Sequence, residues 1–304
     1  MISICIPIYN FNVTSLVTAL EREIVSKKLN ARIVLIDDCS LQSYKKLNHL
    51  TCQKHTYIEL EKNIGRAKIR NLFLAHADAQ YLLFLDCDAL IVSPNFISNY
   101  IQTIETNNEN VICGGRIYDP IKPKRKNRLS WKYGIKTESK SYTERLQNPN
   151  RSFMTNNFLI KREILNQIKF DERISKYGHE DTLFGYYLKQ SNIKIDHINN
   201  PILNGDIEDN KTFLQKTELG IINLISILEY VNYDKSFIAD VALLSFHKKL
   251  EEKKLIPIVL FLFIVFKPYL KFRLQKGFVN LNQFNFYKLG LLIENNKPLK
   301  KQPY

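Results

Sequence analysis

Residues 2–8 (ISICIPI), 31–36 (ARIVLI) and 81–85 (YLLFL) are short apolar runs with almost no polar alternation. A strand with one face in water alternates apolar and polar side chains, so runs like these belong to strands covered on both faces. Helical spacing lies between them. Leu16, Leu20, Ile24 and Val25 share one stripe of residues 15–29, and residues 64–77 also read as a helix. Residues 57–60 add a short strand. Strands separated by helices over the first 115 residues predict an α/β fold with a mostly parallel central sheet and helices on both faces. Ligands of such sheets bind beyond the carboxyl ends of the strands, so the polar residues that end each strand are the ones to examine.

The 304 residues are 45% hydrophobic and 24% charged, which excludes a mainly disordered or collagen-like chain. The length fits one large α/β domain or a domain with an appendage. Lys and Arg number 44 against 30 Asp and Glu, and the net +14 suits an anionic partner: nucleic acid, nucleotide, phospholipid or lipid phosphate. Five cysteines, without CxxC spacing, predict neither a disulfide framework nor a zinc ribbon. Met1 runs straight into the first strand without a signal peptide, so a cytoplasmic location is expected.

Part of the charge is localised. Residues 122–140 hold eight basic side chains and one acidic, read either as a mobile loop or lid or as a solvated charge run. Residues 213–231 and 236–254 are expected to be helical, and residues 248–304 carry 12 basic and 3 acidic side chains. The apolar run 255–266 is too short to span a bilayer. It is either a core helix or an interfacial anchor whose cationic flanks meet anionic lipid, which would make the protein peripheral at the inner face of the cytoplasmic membrane.

Four strand or helix ends carry candidate chemistry. Asp86 and Asp88 follow YLLFL at i, i+2, a spacing that turns two carboxylates to one side; a hard divalent cation would relieve their repulsion, and an ordinary acidic turn is the plainer reading. Asp37 and Asp38 end the second strand, where a carboxylate can accept from the imide N–H of a pyrimidine. Asn63, Gly65, Arg66 and Arg70 open a helix with cations suited to a diphosphate, or simply make a basic surface helix. Glu180 and Asp181 begin another helix, where a carboxylate is either a proton acceptor for a hydroxyl or a plain helix-terminus acid.

Taken in order, ISICIPIYN, VLIDDCS, NIGRAKIRN, FLDCDALI and GHEDTLFGYYL resemble the signature of glycosyltransferase family 2, over roughly residues 1–205. The resemblance implies a GT-A fold, a nucleotide-diphosphate-sugar donor, Mn²⁺ or Mg²⁺, and inverting transfer by direct displacement. It implies a catalytic domain over residues 1–205 (nucleotide half about 1–115, acceptor half 116–205), leaving 206–304 as a helical basic extension. On this sequence Asp38 would contact the base, with Asp37 nearby and Pro7 to Tyr9 lining the nucleoside pocket. Asn63, Gly65, Arg66 and Arg70 match the turn and basic helix of the donor site, Asp86 and Asp88 the metal-binding pair, Asp181 the base and Glu180 its acceptor-binding neighbour. YGHED is similar to the WGxED pattern of galactosyl- and N-acetylgalactosaminyltransferases, with Tyr177 for Trp.

One departure is visible. Many relatives place a metal-binding His after the next strand, whereas this chain has Asn204, Gly205 and Asp206 there; His197 falls earlier and reads as a structural strand residue. The third ligand is left among Asp206, Asn204 and water. His179 is either an acceptor or phosphate contact or an exposed loop residue, and Trp131 either stacks on a sugar or anchors its loop. The expected partners are a UDP-sugar and a glycan or lipid-linked glycan of surface polysaccharide synthesis, with an anionic membrane as a further surface and no nucleic acid. The competing readings are a sugar nucleotidyltransferase, which lacks its Gly-rich phosphate loop here, a basic nucleic-acid-binding protein, which lacks a recognised module, and a dehydrogenase, which lacks GxGxxG.

Overall fold

The computed structural model describes residues 1–107, 109–174 and 177–296. The chain divides into two compact units, one of residues 1–119, 137–175 and 180–206, the other of residues 120–136, 176–179 and 207–304. Its opening elements are β1 (Ile2–Ile8), α1 (Thr14–Lys27), β2 (Ala31–Asp37), α2 (Gln42–Thr51), β3 (Thr56–Glu59) and α3 (Arg66–His76). Then come β4 (Tyr81–Leu85), β5 (Ala89–Ile91), α4 (Phe96–Asn107), β6 (Val111–Cys113), β7 (Arg116–Ile117) and α5 (Arg128–Tyr133). They are followed by α6 (Tyr142–Gln147), β8 (Asn157–Lys161), α7 (Arg162–Gln167), α8 (Glu180–Gln190), β9 (Ile195–His197) and β10 (Ile202–Asn204). The remainder is helical: α9 (Asn210–Tyr230), α10 (Lys235–Asp240), α11 (Ala242–Glu252), α12 (Ile256–Gln275) and α13 (Leu281–Asn295).

In the first unit a seven-stranded sheet runs β3-β2-β1-β4-β8-β6-β9. Its pairs are parallel except those of β8, which is antiparallel to both β4 and β6. The expected α/β sheet covered on both faces is what forms. Strand side chains alternate between faces, so YLLFL divides: Leu83 and Leu85 join a core with Leu16, Leu20, Phe96 and Tyr100, while Leu82 and Phe84 join one with Phe73, Phe158 and Phe184. A run buried on both faces has no polar position to offer. A second sheet, β5-β10-β7, pairs β10 antiparallel to β5 and parallel to β7. It ties residues 202–204 to the stretch just after Asp88. All five cysteines are free.

The second unit is helical. Phe263 of α12 packs on Phe286 and Tyr287 of α13, close over Gly290, where a Cβ would lie 2.1 Å from the Phe263 ring. Of residues 122–140, read above as a mobile loop or lid or as a solvated charge run, 122–136 are built into this unit. Leu129 is fully buried, and its N–H donates to Asn210 Oδ1 (2.8 Å). Lys132 Nζ donates to the Val279 carbonyl (3.1 Å), and the Arg125 guanidinium stacks 3.8 Å from the Phe278 ring centroid. The expected single helix over 236–254 is broken at Val241 into α10 and α11, and the apolar run 255–266 is only the first part of α12. The last eight residues of the expected extension lie outside the described residues.

Candidate active site

The carboxyl ends of β1, β2 and β4 lie side by side, because β1 pairs parallel with both neighbours. Beyond β2, Asp38 is committed to the next turn: Oδ1 accepts from the Ile64 N–H (2.7 Å) and Oδ2 from the Gly65 N–H (3.0 Å), while Asn63 Nδ2 donates to the Asp38 carbonyl (3.1 Å). Gly65, at φ 85°, adopts the left-handed backbone that this turn requires before α3. Burial raises the Asp38 carboxyl, opposed by those two N–H groups. Asp37 is fully buried and accepts from the Ser40 N–H (2.6 Å) and the Tyr57 hydroxyl (3.2 Å). Of the nucleoside candidates, Pro7 is partly exposed and Tyr9 exposed.

α3 then directs two arginines at the two other acidic sites. Arg70, only 2% exposed, places Nη2 3.1 Å from Asp86 Oδ1 and Nη1 3.8 Å from Glu180 Oε1. Arg66 Nη1 lies 3.1 Å from the same Glu180 oxygen. A buried guanidinium is stable only when paired, and here it links the end of β4 to the start of α8. Burial would raise Glu180, but Arg66 and Arg70 outweigh it and hold the carboxyl below its ordinary value. Asp181, next in line, is pushed up to about 6 by burial and by the Glu180 charge, against the Thr182 N–H bond (2.7 Å). Two adjacent carboxyls are thus driven apart, one firmly ionised and one a stronger base than an ordinary aspartate.

Asp88 is likewise raised to about 6 by burial and then by Asp86, opposed by Arg116, whose Nη2 lies 3.7 Å away. Arg116 also faces Glu138 (3.6 Å) and the Tyr118 ring (5.1 Å). Cys87, between the aspartates, packs toward the core, and burial raises its thiol to about 12, so it has no thiolate chemistry to offer. The carboxylates Asp86, Asp88, Glu138, Glu180 and Asp181 outnumber Arg66, Arg70 and Arg116 by two, the charge of one divalent cation.

The surroundings fit such an ion. Among the described residues no three His, Cys, Asp or Glu side chains gather as a metal cage. Asn204, however, sits in register with Ala89, and its buried Oδ1 has no hydrogen-bond partner. The adjoining Gly205 N–H donates to the Asp88 carbonyl (2.9 Å), an approach that a Cβ, 2.5 Å from that oxygen, would block. Two carboxylates and an amide oxygen are hard oxygen donors, suited to Mg²⁺ or Mn²⁺. Asp206 is exposed. His197 is structural: Nε2–H donates to the Pro149 carbonyl (3.0 Å), Nδ1 accepts from Arg145 (3.1 Å), and burial lowers it to about 4.

Sequence reasoning missed Arg116, Glu138 and Asn156. Asn156 pairs its carbonyl with the Asp86 N–H (3.2 Å), yet both amide atoms of its buried side chain lack a partner. No periodicity marks such a residue, whereas Arg116 follows a Gly-Gly strand end and was open to notice. His179 and Trp131 fall in the helical unit: His179 has φ 66° beside Gly178, whose carbonyl accepts from Asn223, and Trp131 sits partly buried in α5.

The sequence pattern of Glycosyl transferase family 2 matches residues 3–169, more than half of the chain and all of its strand-end acids up to Asp88. The chain belongs to that family. No curated protein matches it. Among solved structures, the mannosyltransferase PcManGT from Pyrobaculum calidifontis, in complex with GDP-Man and Mn²⁺, is similar over 99% of this chain and 88% of its own, at 13% identity and TM-score 0.57. Glucosyl-3-phosphoglycerate synthase from Mycobacterium tuberculosis, in complex with Mg²⁺ and UDP, is similar over 75% and 78%, at 13% identity and TM-score 0.53. These likenesses show the GT-A fold. The chain spans 65% of the S. aureus TarS fragment 1–349, at 19% identity, 74% coverage of this chain and TM-score 0.47.

Proposed function

We propose that this family 2 member is an inverting, metal-dependent glycosyltransferase that moves a sugar from a nucleotide diphosphate, UDP before GDP, to a glycan hydroxyl. The supporting observation is the convergence of Asp86 and Asp88, the Arg66–Arg70 pair, and Glu180 with Asp181 beyond the carboxyl end of the central strand β4. The structural relatives bound to UDP or GDP-Man with Mg²⁺ or Mn²⁺ agree with that donor class. In this reading residues 1–115 hold the nucleotide, 116–205 the acceptor, and the base stacks near Pro7 and Tyr9 with Asp38 beside it. Asp86, Asp88 and Asn204 would hold the cation, which when bound offsets the charge of the departing diphosphate. Arg66 and Arg70 direct positive charge toward the diphosphate, and Glu180 orients the acceptor. Asp181 takes the acceptor proton on a carboxylate oxygen, its basicity raised by Glu180 and burial. A galacto-configured hexose or N-acetylhexosamine is the proposed sugar, and a lipid-linked surface polysaccharide at the inner membrane face the proposed setting.

A donor screen with Mn²⁺, reading nucleotide diphosphate release across UDP- and GDP-sugars, tests the reading. Release from a UDP-sugar that requires Mn²⁺ and is lost in Asp88→Asn supports it. No release from any sugar nucleotide, with or without acceptor glycans, overturns it.

A further inference from the structure

The helical unit has an uncovered face. Ile258, Phe261, Leu262, Val265, Tyr269 and Phe272 of α12 are 40–66% exposed, although all are large and apolar. Their spacing of three and four residues places them on one stripe, opposite the side on which Phe263, Leu270 and Leu274 are buried. From Ile258 to Phe272 the stripe runs about 21 Å at 1.5 Å per residue. Cations mark both of its ends: Lys253 and Lys254 at the bend of 119° between α11 and α12, Arg273 and Lys276 at the other. From residue 248 to 276 there are eight Lys and Arg against Glu251 and Glu252. On the larger scale the helical unit holds 23 basic and 9 acidic residues, the whole net +14, while the sheet unit is balanced at 21 and 21.

We infer that α12 lies in the plane of an anionic phospholipid surface, its apolar stripe among the acyl chains and its terminal cations at the headgroups. Among the described residues no single helix is long and apolar enough to cross a bilayer, which suits a helix lying in the interface. A second copy of the chain is a poor occupant, because the face belongs to a unit of charge +14 that would meet its like. Nucleic acid would use the lysines and leave the aromatic stripe in water. A lipid surface answers both features at once. The inference rests on the membrane-facing setting proposed above and gives it a surface. Its test needs neither sugar nor acceptor, so it can fail while transfer to a soluble glycan succeeds, and the reverse.

The experiment is vesicle sedimentation of the full chain with phosphatidylcholine vesicles with and without phosphatidylglycerol. Two variants are compared: Phe261→Ser/Val265→Ser/Phe272→Ser, and Lys253→Glu/Lys254→Glu/Lys276→Glu. These residues are exposed, and unchanged circular dichroism verifies folding. The expected result is binding that needs phosphatidylglycerol and falls at least about tenfold in each variant. Native protein that stays in solution with the anionic vesicles overturns the inference, as does a serine variant that binds them undiminished. A native dimer that the serine variant converts to monomer, with no vesicle binding, overturns it in favour of self-association. RNA binding tighter than vesicle binding and indifferent to the serines overturns it in favour of nucleic acid.

Discussion

The Asp181 carboxyl, raised to about 6 while Glu180 beside it is held down, is where residue chemistry is most exposed to test. A base must be ionised to accept a proton, so kcat/KM should rise with pH through about 6 and level off above it. A profile already flat from pH 4.5 would assign the proton elsewhere. Asp181→Asn should cost about 10²–10⁴ in kcat, the usual worth of general base catalysis, with nucleotide affinity by calorimetry nearly unchanged. Asp88 makes a second pH prediction. Its folded carboxyl at about 6, against an ordinary 3.8, means the folded state holds a proton that the unfolded chain has lost, so folding stability falls as pH rises through that window. A cation competes with the proton for this carboxylate. The Tm gain on adding Mn²⁺ should therefore be larger at about pH 7.5 than at about pH 5. Asn204→Ala should raise the Mn²⁺ concentration for half-maximal activity about tenfold. The acids could be read from the sequence because strands ended in them. Asn204 was named only as one of three alternatives, and Asn156 not at all, since the burial of their unpartnered amides arises from strands brought together over long sequence separations.

Among the elements, apolar runs and periodic stretches of four residues or more were readable, and the strands of two or three residues were not. β1, β2, β4 and α3 follow directly from apolar runs and helical spacing. β5, β7 and β10, of two or three residues each, have too few positions to show a period, yet they bring Asn204 level with Ala89. The break at Val241 has no Pro or Gly to announce it, and α12 passes through Pro268, a residue type that usually ends a helix. Charge misled only in part: Lys132 and the Arg125 guanidinium hold the segment to Val279 and Phe278, while Lys122, Lys124, Arg125, Lys126, Lys136 and Lys140 are exposed, as a solvated basic run would have them. The close approach of α12 to α13 depends on Gly290. Gly290→Ala, with its Cβ 2.1 Å from the Phe263 ring, should destabilise the helical unit by about 1–3 kcal/mol, measured as a lower urea midpoint. An unchanged midpoint would show that the two helices can slide apart at little cost.

At the scale of the molecule, one unit is electrically balanced and the other carries the full +14. Salt should separate them: between about 50 and 300 mM NaCl, nucleotide release in bulk solution should change less than about threefold while vesicle binding falls more than about tenfold. Parallel loss of both would mean that the substrate relies on the same cations. The basic unit is also discontinuous. Its segment 120–136 buries Leu129 against Asn210 and anchors Lys132 on Val279, so the segment leaves the ribosome well before the residues that shelter it. At usual elongation rates the 160 residues between 136 and 296 take roughly 8–32 s to make. For that interval a strongly basic, partly apolar ribbon hangs from a half-made chain, open to proteases and to any chaperone or polyanion near the exit tunnel. A chain released early would keep its strand-end acids but leave that ribbon permanently unsheltered, which makes the last hundred residues a condition for the survival of the first two hundred.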